Sequence, residues 1–216
     1  MKKGFTLAEV LITLAIVGVV AAVSLPTLNT NVQKQGLSAQ IAKFYNQFGK
    51  AIEMYKADNE LDKIPNSFDK ESFVKKYFKV TQKCNDDGDN QCIPERYRTI
   101  NNDIEDFAAA EAFVSDNTYM LADGAVMSIN QIEGWPIEVV FDVNGLKGPN
   151  IVGYDMQIFS VFYDGSIDEN GATPQARMGD SAALKNHIES RFENCKQGNY
   201  GGCFGHLLRN GFRFDY

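Results

Sequence analysis

Between Val10 and Gln33 the chain carries no charge, and its most apolar stretch, Val10 to Leu25, reads Val-Leu-Ile-Thr-Leu-Ala-Ile-Val-Gly-Val-Val-Ala-Ala-Val-Ser-Leu. Counted from Phe5, that segment reaches about the 20 residues a helix needs to cross a bilayer core. After Pro26 the pattern changes. Leu37, Ile41, Phe44, Phe48, Ile52 and Tyr55 recur at steps of 4, 3, 4, 4 and 3, while Lys34, Lys43, Lys50, Glu53 and Lys56 occupy the positions between them. That spacing predicts an amphipathic helix with one apolar face. The signal fades at Asp58 and Asn59 and must stop before Pro65. A continuous helix from Phe5 to Asp58 would be about 80 Å long, bent or loosened at Pro26.

Shorter elements follow. Asp69 to Lys79 predicts a second helix, with acids Asp69 and Glu71 at its start and Lys75, Lys76 and Lys79 at its end, as the helix dipole prefers. Tyr119 to Ile129 predicts a hairpin turning at Asp123-Gly124. Ile137–Phe141 and Met156–Tyr163 predict two more strands, the second ending at Asp164-Gly165. Ser181 to Phe192 predicts a late helix, and Gly211 to Tyr216 a short closing strand. The class expected is α+β: a long N-terminal helix, first hydrophobic and then amphipathic, packed on a small antiparallel sheet. Trp135, before Pro136, is expected in the core or a turn.

Composition narrows the picture. The chain has 216 residues, 44% of them hydrophobic, and a formal net charge of -7. Loss of the first four residues would remove Lys2 and Lys3 and leave -9. So acidic a chain lacks the basic field that nucleic-acid binding needs. The four cysteines form two pairs with seven residues between partners, which favours Cys84–Cys92 and Cys195–Cys203. Asn85 to Gln91, between the first pair, is too polar to form a core, and closing so short a loop contributes roughly 2.5 kcal/mol. Disulfides persist in oxidising compartments. Zinc is the competing reading, but its cysteines usually stand closer together.

The first residues are Met1-Lys2-Lys3-Gly4-Phe5-Thr6-Leu7-Ala8-Glu9. Lys2 and Lys3 should stay cytoplasmic, placing the remainder outside. A secretory signal cleaved near Ala22 or Ser24, a simple signal anchor and a buried helix of a soluble protein all compete here. Glu9 argues against each, because a charge inside an apolar span is costly and marks a function by default.

Gly4-Phe5-Thr6-Leu7-Ala8-Glu9 ahead of a long apolar helix resembles the leader of type IV prepilins and type II secretion pseudopilins. The resemblance covers about thirty residues. It implies cleavage between Gly4 and Phe5 by a membrane aspartyl peptidase, the prepilin peptidase, which also methylates the new Phe5 amine. It implies the pilin fold. It divides the chain into a cleaved cytoplasmic leader (1–4), a transmembrane and polymerising half-helix (5–29) and an extracytoplasmic globular domain (30–216). The new amine is mostly charged at neutral pH, and a carboxylate in an apolar helix array needs a partner. Glu9 is therefore expected to pair with the Phe5 amine of a neighbouring subunit and set axial register. The competing role for Glu9 is to complement its own helix N-terminus.

Asp142, Asn144, Asn150 and Asp155 lie on a loop with three glycines and Pro149. They offer the hard oxygens calcium uses, and some pseudopilins similar to this chain hold calcium in a comparable loop. The competing reading is a turn held by Asx hydrogen bonds. No other cofactor is expected. His187 and His206 have no partner at catalytic spacing, His187 is expected on the exposed side of the late helix, and the Gly198–Gly202 run lacks a phosphate-loop context. No catalytic site is expected. The expected function is a structural subunit of a type IV pilus or a type II secretion pseudopilus. Its partners would be like or related pilin subunits, the prepilin peptidase, the inner membrane and the assembly platform. The alternative is a membrane-anchored extracytoplasmic binding domain that never polymerises.

Overall fold

The computed structural model describes residues 6–84, 92–101, 107–108, 113, 117–131, 135–170, 181–198 and 201–216, without the side chains of 23–31, 107–108 and 181–183. The chain divides into two compact units, residues 1–36 and 37–216. Helix α1 spans Leu7–Asp58. The helix runs unbroken through Pro26, where a loosening was expected.

In the second unit, the predicted apolar stripe is the heart of the core. Leu37, Ile41, Phe44, Phe48 and Ile52 are buried, with Ala51 between them. Phe44 stacks on Phe141 with ring centroids 4.2 Å apart, and Phe48 meets Phe159 edge-on at 5.3 Å. Helix α2, Lys70–Tyr77, starts where Asp69 caps it by accepting from the Ser72 N–H at 3.1 Å, and adds Phe73 and Val74 to the same core.

The sheet is six-stranded and antiparallel, with order β1-β4-β5-β6-β7-β8. Its strands are β1 (Val80–Lys83), β4 (Thr118–Leu121), β5 (Val126–Asn130), β6 (Ile137–Asp142), β7 (Met156–Val161) and β8 (Ile167–Glu169). A two-stranded ladder pairs β2 (Arg96–Tyr97) with β3 (Phe107–Ala108). β6 and β7 are almost wholly buried because both faces are covered. Met127, Ile129, Val139, Phe141 and Phe159 face α1 and α2. Val126, Val140, Met156 and Ile158 face a second cluster built on Tyr97, Phe113 and the Cys84–Cys92 bridge.

Helix α3, Ser181–Lys196, runs four residues beyond the expected end, and α4, Cys203–Arg209, follows it. The class is α+β, as expected. The closing strand is not formed. Gly211 and Phe212 both take positive φ, which breaks extension, and Phe214 and Tyr216 instead pack as rings on Tyr154. Trp135 is 58% exposed, so it belongs to a bend before β6 and not to the core. His187 is half-buried, with its Nε2 enclosed, because α3 turns that side inward.

Candidate functional site: the capped apolar helix and its anchored loops

At the start of α1, Thr6 and Glu9 hold each other. The Thr6 N–H and hydroxyl both donate to Glu9 Oε2, at 2.8 and 2.7 Å, and the Glu9 N–H returns a bond to Thr6 Oγ1 at 3.3 Å. This is a capping box, in which the cap and the third helical residue satisfy each other's orphan donors. The Thr-x-x-Glu spacing carries the signal in the sequence, yet Thr6 was not expected to act. Glu9 therefore plays the self-complementing role in the isolated chain. Gly4 and Phe5, the expected cleavage and methylation positions, lie outside the described residues.

Beyond the cap, Leu7, Val10, Leu11, Ile12, Leu14, Ile16, Val17, Val19 and Val20 are 42–79% exposed. They surround the helix on all sides and no described side chain covers them. Among the described residues no helix is long and apolar enough to cross a membrane. The apolar run of the sequence continues to Leu25, through side chains that lie outside the description.

The cysteines pair as the spacing favoured. Cys84 joins Cys92 with Cα atoms 5.8 Å apart, and Cys195 joins Cys203 at 5.3 Å. The first closes over residues 85–91, which lie outside the description, and is pinned to β4 by the Cys84 N–H, which donates to the Thr118 carbonyl at 2.9 Å. The second staples α3 to α4.

The four oxygen-bearing loop residues do come together, as a hydrogen-bonded turn. Asp142 Oδ1 accepts from the N–H groups of Asn144 and Gly145, each at 2.8 Å. Asp142 Oδ2 accepts from the buried Tyr97 hydroxyl at 2.7 Å, a partner that nothing in the sequence pattern announced. Asp155 binds the N–H groups of Ile151 and Asn150 through its two oxygens, at 2.7 and 2.6 Å. Gly145 is required here: its φ is +62°, and a Cβ would lie 3.1 Å from the Gly124 carbonyl. Every carboxylate oxygen thus already has a donor aimed at it. Only Asn144 Oδ1 and Asn150 Oδ1 are left without a partner. Two neutral amide oxygens fall well short of the six to eight that calcium takes. Among the described residues no group of three or more His, Cys, Asp and Glu is placed to hold a metal. The residues fit the turn better than a cation cage.

Burial pushes the Asp142 carboxyl up to about 7, and the Asp155 charge beside it adds to the effect. Burial also raises Asp155, against the pull of its main-chain donors. The same cause lifts Glu169 on β8 to about 7.

Residues 1–25 match the family model of the prokaryotic N-terminal methylation motif, the leader of type IV pilins and pseudopilins. That family is structural and not catalytic, and such a leader implies processing by a prepilin peptidase and assembly with pilin subunits. Nothing among the curated proteins or the solved structures matches the chain.

Proposed function

We propose that this chain is a structural subunit, a pilin or pseudopilin, of a type IV pilus or a type II secretion pseudopilus. Residues 5–29 hold it first in the cytoplasmic membrane and then among the helices of a filament. Residues 30–216 form the pilin-like domain displayed outside, an oxidising location in which two disulfides persist. The subunit acts by polymerising and not by catalysis.

One observation carries the proposal. The domain core closes without residues 7–20, whose nine large apolar side chains remain open to solvent. Covering a Val, Leu or Ile side chain gains roughly 1.5–3 kcal/mol, so nine of them supply a large driving force for entering lipid and then a helix array. The leader match supports cleavage ahead of the apolar run, which leaves this helix on the mature chain.

The anchored, non-polymerising alternative has its own support, since Glu9 is already satisfied by Thr6 and needs no second subunit. Cysteine crosslinking separates the two. The native cysteines are all paired, so thiols introduced at Leu7 and Leu11 report alone. In cells that hold the assembly machinery, the proposal expects a ladder of ordered crosslinks. Monomers alone would favour the anchor.

A further inference from the structure

α1 carries a glycine for which its own domain gives no reason. Gly49 lies well inside the helix, where glycine is a poorer choice than alanine. A Cβ there would meet a single neighbour, Ile167 Cδ1, at 3.9 Å, which is an ordinary contact. The missing side chain instead belongs to a groove of about 600 Å³ beside α1, lined by Tyr45, Gly49, Met54 and Ile167. A local rule broken with no gain inside the chain marks a place that serves something outside it.

Among the described residues of 37–216, three large apolar side chains stay exposed: Met54 at 55%, Trp135 at 58% and Leu146 at 52%. Met54 lines the groove. Trp135 stands at the same end of the domain, because the hydroxyl of Tyr163, next to the β7–β8 turn, donates to its carbonyl at 3.3 Å. Leu146 stands at the other end. It tips the 142–155 loop, which leaves β6 where Phe141 stacks on Phe44. The β7–β8 turn instead sets Gly165 against Ile52 and Lys56, about 12–18 Å further along α1. The donors to Asp142 and Asp155 hold the loop in one shape. The one charge between Val143 and Asn150 is Lys147, and the one acid lining the groove is Glu53. Both are exposed.

We propose that the groove beside Gly49 receives Leu146 from the loop of a second copy, with Lys147 of that loop meeting Glu53. The proposal rests on the filament reading and names a contact that the filament uses. An open filament needs a contact between two different patches of one chain. In copies whose α1 helices run the same way, an axial shift brings the loop of one level with the groove of the next. Leu146 then leaves water for the cover of Tyr45, Met54 and Ile167, and Gly49 lets the loop come close to the helix. Lys50, the groove's other charge, repels Lys147 and leaves Glu53 as its partner.

Thiol crosslinking tests this on the full chain, in cells that hold the assembly machinery. Met54→Cys with Lys147→Cys puts one thiol at the groove and one at the loop tip, keeps Gly49 and Leu146, and reports alone because the native cysteines are paired. A ladder of linked copies is expected, as from thiols at Leu7 and Leu11. Gly49→Leu, added to the pair, fills the groove. It should abolish the ladder through 54 and 147, while urea unfolding of the full chain in detergent stays the same or shifts later, since leucine favours the helix. A ladder through Leu7 and Leu11 with none through 54 and 147 overturns the contact and leaves the filament reading standing. A ladder through 54 and 147 that survives Gly49→Leu also overturns it. No ladder through either pair overturns the filament reading, and the contact with it.

Discussion

The two halves of α1 treat the same kind of side chain in opposite ways. In residues 37–52, Leu37, Ile41, Phe44, Phe48 and Ile52 lie on one face and are at most 7% exposed. In residues 7–20 they lie all round, and none is less than 42% exposed. A one-faced stripe is finished by its own domain. An all-round apolar surface cannot be finished by one sheet and needs lipid or other helices on every side. The division of labour is thus written in periodicity. The second half builds the domain, and the first half is left for lipid or other helices to cover.

Substitutions can break or sharpen that contrast. Glu9→Val should leave membrane insertion intact and abolish ordered assembly, the largest effect, read by filament counting. Normal filaments would mean that the Thr6 cap is Glu9's whole task. Phe48→Ala empties a site at the centre of the ring cluster with Phe73, Phe78 and Phe159. It should cost about 3–5 kcal/mol in urea unfolding of the domain.

A change of pH should act next in size, again on the domain alone. Asp142, Asp155 and Glu169 all bind protons more tightly folded than unfolded, so folding takes up protons between roughly pH 4 and pH 7. Their contribution is fullest in acid and is lost as pH rises through about 7. The melting temperature should therefore be higher at pH 5 than at pH 8, by a stability difference on the order of 2 kcal/mol. A higher value at pH 8 would refute the assignment. Leu14→Ala, by contrast, removes a side chain 63% exposed and should leave the domain's unfolding within about 0.5 kcal/mol of wild type. Saturating chelator should likewise leave the melting temperature unmoved, since the Asp142–Asp155 loop is closed by its own donors. A fall of several degrees would restore calcium to the loop.

What could be read from the sequence divides along the same line. The stripe from Leu37 to Tyr55, the turn at Asp123-Gly124 and the long strands β6 and β7 were legible because periodicity and turn chemistry are local. β1 and β8, of four and three residues, carry too little pattern to declare themselves. α4 hid behind Gly201 and Gly202, whose composition reads as loop although they serve to let Arg191 pack close. The closing strand was misread because Phe212, Phe214 and Tyr216 alternate like a strand, while their rings are recruited by Tyr45 and Tyr154. In the site, the Glu9 position was legible from its isolation in an apolar run. Its partner Thr6 was missed, although the Thr-x-x-Glu spacing carries the signal. Tyr97 and Glu169 were not, because both depend on contacts between segments 40 or so residues apart or reached only through the folded sheet.

The most direct test is N-terminal sequencing and intact mass of the chain purified from its own membranes. The account requires a mature protein that begins at Phe5, carries one added methyl and keeps the apolar helix. A protein that begins after Ala22, with the helix gone, would contradict it.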